Sequence, residues 1–249
     1  MNPVRKRILE LLTESGYDVS DDLEARLDQF LACIRRRDEP DDVAPLLTWL
    51  ENRRRESQME VREVPMSKLK GWKVDPATGV ISHETGEFFR VIGICVQNAS
   101  ARETPSWCQP IIYQPEMGIL GILVQEQGGV DHYLLQAKAE PGNIGKLQLS
   151  PTLQSTVSNL RRAHGGLKSP FADYFETPRP GSVIYAHYQG EDGGRLHLKK
   201  NLNMLVRLPA DELIDIPDDF VWVTMYQIKQ LLKHENIINV AARSVISVL

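Results

Sequence analysis

Between residues 118 and 150 three β-rich segments follow one another, GILGILVQE, VDHYLLQAKA and KLQLS, with QGGVD and EPGN at the corners. Successive side chains of a strand point to opposite faces, so parity alone divides each segment in two. In HYLLQAKAE one set is Tyr133, Leu135, Ala137 and Ala139, which suits a core; the other is His132, Leu134, Gln136, Lys138 and Glu140. In KLQLS, Leu147 and Leu149 face inward and Gln148 and Ser150 outward. A later segment, LHLKKNLNMLV, sets Leu196, Leu198, Leu202, Met204 and Val206 on one face, interrupted by Lys200. His197, Lys199, Asn201 and Asn203 lie opposite. The Gly-Gly pair between the first two segments is a tight-hairpin signal. The chain is therefore constrained to a sheet with an apolar face and an opposite face rich in Gln, Asn, Lys and Ser.

Further short β-rich segments, GEFFRVIGICV, QPIIYQ and GSVIYAHY, extend this region from about residue 60, punctuated by Gly and Pro. Helical spacing appears in three places. Residues 3–56 carry Ile8, Leu11 and Leu12, then Leu23, Leu27, Phe30, Leu31 and Ile34 after a Ser20 cap, then Leu46, Leu47 and Leu50. Residues 153–163 place Leu153, Val157 and Leu160 on one stripe and Gln154, Ser158 and Arg161 on another, beside Ser155, Asn159 and Arg162. Residues 224–234 open with Thr224 and Gln227 in capping-box spacing. NVAARSVISVL is expected to close the chain as a buried helix or strand. These elements give an α+β fold, a mostly antiparallel or mixed sheet with flanking helices. The expected division is a helical N-terminal extension over 1–58 and a sheet domain over 59–249.

Composition narrows the function. The net charge of −4 argues against a general nucleic-acid binder, so an anionic ligand needs a local basic site. No apolar run approaches the length of a membrane span. The N-terminal MNPVRKRILELLTESG is broken by Glu10 and reads as a cytoplasmic helix and not as a leader. Cys33, Cys95 and Cys108 show no CxxC spacing, which is expected of a reducing compartment with neither a disulfide framework nor a zinc site. GxGxxG, GxxxxGK[ST] and GxSxG are absent, and the histidines lack HxH, HxxH or HExxH spacing, so no metal or nucleotide cofactor is implied.

An amide-and-lysine face is either the solvated side of a sheet or the wall of a polar groove. Solvated faces usually carry Glu, Lys and Thr, whereas amides and lysines together suit a polar, anionic ligand. The 153–163 segment adds arginines whose planar fork matches phosphate, and a helix N-terminus with free N–H groups.

The blocks PMSKLKGWKVDPATGVISHETGEFFRVIGI, WCQPIIYQPEMGILGILVQ, LLQAKAEPGNIGKLQLSPTLQSTVSNLRRAHGG, DYF, KKNLNMLVRL and FVWVTMYQIKQLL…NVAARSVISVL resemble, in order over about 60–249, the NDP-hexose 2,3-dehydratases. The resemblance implies a fold related to Nudix hydrolases without their metal signature. It implies action on dTDP-4-keto-6-deoxyglucose in deoxysugar biosynthesis for antibiotics or surface glycans, with a 3-ketoreductase taking the product. No hydride moves, so no cofactor is implied. Family members commonly carry two copies of the domain, and one copy here points to a homodimer. Asn239-Val240-Ala241-Ala242-Arg243 lacks the acidic residue usual before AR or TR, and Leu202 stands where a basic residue is frequent.

The chemistry requires a base at C3, a stabiliser for the C4 enolate and a proton donor for the C2 hydroxyl. The candidates are Glu140 and Glu116 as bases and Lys138 as enolate stabiliser. Trp107, Gln109, Gln114, Gln136, Asn143, Gln148, Ser150, Gln154, Ser158, Asn159, Arg161, Arg162, Lys199, Asn201, Asn203 and Arg243 are the substrate-binding candidates. A non-catalytic sugar-nucleotide-binding subunit, or an isomerase or dehydratase of another keto compound, is the competing expectation.

Overall fold

The computed structural model describes residues 3–32, 43–97, 104–160 and 169–249. Helices α1 (Pro3–Glu14), α2 (Asp21–Ala32) and α3 (Ala44–Glu56) precede a small antiparallel sheet. That sheet runs β1 (Trp72–Val74), β2 (Ile81–His83), β3 (Arg90–Val96) and β4 (Trp107–Tyr113) in chain order. The large sheet comprises β5 (Gly118–Gln127), β6 (Val130–Ala139), β7 (Leu147–Pro151), β8 (Leu153–Thr156), β9 (Val183–Gly190), β10 (Lys200–Leu208) and β11 (Phe220–Thr224). Helices α4 (Val157–Leu160), α5 (Ala172–Glu176), α6 (Met225–Leu231) and α7 (Val240–Ile246) complete the order. The main path through the large sheet is β11-β6-β5-β10-β9, with β5 and β10 parallel and the other neighbours antiparallel. This is the mixed sheet with flanking helices that the sequence implies.

The hairpin forms where Gly-Gly stands. Gln127 pairs with Val130, and Gly128 and Gly129 both take positive φ, 61° and 79°, which glycine adopts without penalty. Beyond Leu123 and Leu134, β5 and β6 part, and β7 and β8 fill the fork: β7 pairs with β6 and β8 with β5. Thr152 sits at the apex. Its hydroxyl accepts from the Leu123 N–H at 3.0 Å and donates to the Leu134 carbonyl, satisfying both strands where the ladder splits.

Both faces of the sheet are covered. Leu120, Ile122, Val124, Tyr133, Leu135, Ala137, Leu147, Leu149 and Leu205 pack against Leu50 of α3, Ile228 and Leu231 of α6, and Ala242, Val245 and Ile246 of α7. On the other side Leu123, Leu134, Leu153, Met204, Val206 and Phe220 meet Leu160, Ala172 and Phe175. The parity of β6 and β7 is thus the expected one, but the opposite face is not solvated: Leu134 belongs to a second core, and Gln148 and Ser150 are buried. Leu50 and Arg54, whose guanidinium donates to the Leu147 and Asn236 carbonyls, fix α3 to this body. Of the N-terminal helices, α3 thus packs on the sheet body.

Three other expectations are corrected. Residues 153–156 are strand and not helix, because their backbone groups complete the open edge of β5. Leu198 leaves the apolar face: it takes φ 53° and is 83% exposed, and β10 begins only after it. Cys95 and Cys108 are disulfide-bonded. The β3–β4 register sets them directly opposite, with Cα atoms 4.1 Å apart, a pairing that sequence spacing does not reveal. The Thr224–Gln227 capping box is present, and Ser20 accepts from the Leu23 N–H. Asn239 caps α7, the closing helix. Among the described residues no helix is long and apolar enough to cross a membrane.

Candidate active site

The splayed fork opens a cavity of about 570 Å³. Lys138 and Glu140 enter from the end of β6, Gln148 from β7, and Gln154, Ser155 and Thr156 from β8. Lys199, Asn201 and Asn203 come from β10 and the residue before it, Gln189 to Asp192 from the end of β9, and Asn239 and Ser244 from α7. Gly118 forms part of the floor, where a Cβ would stand 2.8 Å from the Ser155 carbonyl oxygen and 3.3 Å from Asn201 Oδ1.

Glu140 is held by amides. Gln154 Nε2 donates to its Oε1 at 2.7 Å, and Asn143 Nδ2 and Asn239 Nδ2 donate to Oε2 at 3.2 and 3.4 Å. Asn239 also donates to Gln154 Oε1 at 3.1 Å while its own Oδ1 accepts the Ala242 N–H. One side chain therefore caps α7 and ties the helix to the carboxylate. Lys138 donates to the Gln154 carbonyl at 2.7 Å. Burial pushes its pKa below the ordinary lysine value, with Glu140 partly opposing that shift.

A second lysine lies across the sheet. Lys199 is buried, donates to the Glu116 carbonyl, and has its pKa lowered by burial, against the opposing charges of Glu191 and Glu116. Asn201 Oδ1 accepts from the Gly118 N–H at 2.9 Å, and its Nδ2 donates to Glu191 Oε1. Asn203, 1% exposed, donates from Nδ2 to Ser244 Oγ at 2.8 Å, while its Oδ1 accepts from no described residue.

Of the residues singled out from sequence, the structure gathers Gln114, Lys138, Glu140, Asn143, Gln148, Gln154, Asn159, Lys199, Asn201 and Asn203 around this cavity. Glu116 does not line it: its carboxylate accepts from the Ser158 N–H and, at 3.0 Å, from the Ser158 hydroxyl, capping α4. Trp107 donates to Gln109, and Gln109 to the Gly194 carbonyl, joining the small sheet to the loop after β9. Gln136 donates to Asp219, Ser150 donates to the Pro151 carbonyl, and Arg243 is exposed on α7; none of them lines the cavity. Arg161 and Arg162 lie outside the described residues. Glu191 and Ser244 carried no strand or motif signal, since a turn and a helix bring them in. Among the described residues no three His, Cys, Asp or Glu side chains converge on a metal-sized site.

Amides wall this concave site, and carboxylates and lysines enter it from both sides of the fork. The chain belongs to the NDP-hexose 2,3-dehydratase family, whose model matches residues 43–249. It is 43% identical over 199 residues to a dTDP-4-dehydro-6-deoxy-α-D-glucopyranose 2,3-dehydratase of Saccharopolyspora spinosa, covering 80% of this chain and 40% of that protein. Enzymes of the same name from Amycolatopsis orientalis and Streptomyces violaceoruber are 41% and 38% identical, covering 81% and 83% of this chain. The chain spans less than half the length of these relatives, 40%, 43% and 46%. Among solved structures, an ADP compounds hydrolase is similar at a TM-score of 0.39 and 12% identity, covering 65% of this chain and 84% of that one. The Nudix hydrolase RenU from M. smegmatis is similar at 0.31 and 16%, covering 63% and 97%.

Proposed function

We propose that the chain binds a nucleoside-diphosphate 4-keto-6-deoxyhexose, dTDP-4-keto-6-deoxyglucose in the first instance, and removes water across C2 and C3. The observation that carries this reading is Glu140, fixed by three amides, in one cavity with the half-buried Lys138. The C4 carbonyl acidifies the C3 proton, which Glu140 takes. The electron pair moves onto O4, where the Lys138 ammonium stabilises the enolate. A lowered pKa makes that ammonium the stronger hydrogen-bond donor at this step. The C2 hydroxyl then departs as water, and the enol left at C3 tautomerises to a 3,4-diketo sugar. Neutral amides hold sugar hydroxyls without adding charge that would compete with the two reacting groups. Glu116 has its carboxylate engaged with Ser158, outside the cavity lining.

We further propose a homodimer. Val4, Leu11 and Phe30 on α1 and α2 are 55%, 45% and 59% exposed, and α1 buries none of its residues. A two-fold interface would cover these stripes. The product calls for a 3-ketoreductase acting next, in deoxysugar biosynthesis for an antibiotic or a surface glycan. On this reading the site of action is the cytoplasm.

The test is incubation with dTDP-4-keto-6-deoxyglucose and o-phenylenediamine, which converts a vicinal diketone to a quinoxaline. Quinoxaline formation is expected, and Glu140→Gln is expected to cut it ~10²–10⁴-fold with binding retained. Tight binding without any diketone would make the chain a sugar-nucleotide-binding module instead.

A further inference from the structure

Two lysines, the half-buried Lys138 and the buried Lys199, line one cavity, and the reaction proposed above gives a task to only one of them. Lys199 is 8% exposed, and its ammonium donates to one backbone carbonyl, that of Glu116. No carboxylate oxygen of a described residue lies within ion-pair distance of it. A buried ammonium so held is costly, and a fold that needed only packing there would place an apolar side chain. Its surroundings are built with care. Asn201 uses both ends of its amide, one on the Gly118 N–H and one on Glu191, and the Glu191 charge opposes the lowering of the Lys199 pKa. The Glu191 N–H donates to the Lys199 carbonyl at 3.0 Å, closing the turn between β9 and β10 around the pair. Asp192 is differently engaged, its carboxylate accepting from Gly194 and Arg195 within that turn.

We infer that Lys199 is the proton donor to the departing C2 hydroxyl, with Glu191, positioned by Asn201, as the group that restores its proton. This rests on the dehydratase reading. In sheet order the β6 end that carries Lys138 and Glu140 lies on one side of β5 and β8, and β9 and β10 lie on the other. Negative charge develops at two places in the reaction, on O4 and then on the oxygen leaving C2, and the cavity offers one cation from each side. The burial that lowers the Lys199 pKa also makes it the stronger acid.

The balance closes. Glu140 takes the C3 proton, and the C3–H pair becomes the C3–C4 π bond as O4 gains charge. The C4 carbonyl re-forms, C2–C3 becomes the double bond, the C2–O bond breaks, and that oxygen leaves as water with the Lys199 proton. Tautomerisation puts the Glu140 proton on C2. The enol proton on O3 is released, and Lys199 is recharged through Glu191.

The experiment follows two bonds at once, C3–H by deuterium exchange in D₂O and C2–O by quinoxaline formation, with dTDP-4-keto-6-deoxyglucose. Lys199→Arg keeps the positive charge but its guanidinium does not give up a proton. It is expected to bind the sugar nucleotide and to exchange C3 hydrogen, yet to lose elimination ~10²–10⁴-fold. Glu191→Gln, at an exposed position, is expected to shift the same ratio of exchange to elimination in the same direction, and it carries the comparison if the buried substitution prevents folding. Elimination within tenfold of wild type in Lys199→Arg and in Glu191→Gln would overturn the inference and leave the dehydratase reading intact. So would loss of binding in Lys199→Arg, which would make Lys199 a diphosphate contact. Loss of exchange together with elimination would put Lys199 at the enolate step and also reject the donor role. A wild-type protein that neither exchanges nor eliminates would overturn the dehydratase reading itself, and the inference with it.

Discussion

Asn203 is the position where binding and stability should respond in opposite directions. Its amide is 1% exposed on the cavity floor, with one end on Ser244 and Oδ1 accepting from no described residue. A buried acceptor left without a donor costs about 1–3 kcal/mol, and the hydrogen bond to Ser244 returns about 1 kcal/mol. Asn203→Ala removes both terms, so the ligand-free protein should lose little stability or gain up to about 2 kcal/mol. For a chain of this size a gain of about 2 kcal/mol would be a rise of roughly 4–8 °C in Tm. A sugar hydroxyl that donates to Oδ1 recovers the penalty on binding, so the variant should bind more weakly by about 1–3 kcal/mol, roughly 5- to 150-fold in Kd. Calorimetric titration with a dTDP-sugar gives the first quantity and a thermal melt of the free protein the second. Unchanged affinity with a fall in Tm of more than a few degrees would show that the amide serves only to brace β10 against α7.

Lys138→Met should abolish diketone formation while keeping sugar-nucleotide binding, and should raise Tm, because it replaces a half-buried, partly desolvated ammonium by an apolar side chain of similar length; a lower Tm would contradict the desolvation cost assigned to this site. In the wild type the lowered pKa of Lys138 means that the folded state holds fewer protons than the unfolded chain between the folded value and the ordinary 10.5. Lysine-dependent stability should therefore rise with pH through that window, while the alkaline limb of kcat turns down below 10.5. Leu50→Ala should cost about 2–5 kcal/mol in urea denaturation, since Leu50 is 1% exposed and joins α3 to the main core; a loss below about 1 kcal/mol would mean α3 is only loosely attached. Light scattering should give twice the 28.2 kDa chain mass, and a mass near one chain across the active range would end the dimer proposal.

Much of this molecule is legible before any coordinates. Period two in HYLLQAKAE separates Tyr133, Leu135 and Ala137 from Gln136 and Lys138, because pleating alternates side chains whatever the strand packs against. Gly128-Gly129 and Thr224–Gln227 declare a hairpin and a helix start through backbone freedom and local hydrogen bonds, which need no distant partner. The amides and lysines of β6, β7 and β10 could likewise be named from alternation. What the alternation does not contain is the fork. Leu153, Val157 and Leu160 have a helical spacing, yet residues 153–156 become a strand because β5 presents an open edge that only long-range packing creates. The fork makes that polar face the wall of a cavity, and it brings in Glu191 from a turn and Asn239 from a helix cap. The Cys95–Cys108 bond depends in the same way on the β3–β4 register. Local sequence determines which side chains share a face. Which faces meet is decided by the pairing of segments far apart in the chain, whose energy belongs to neither segment alone.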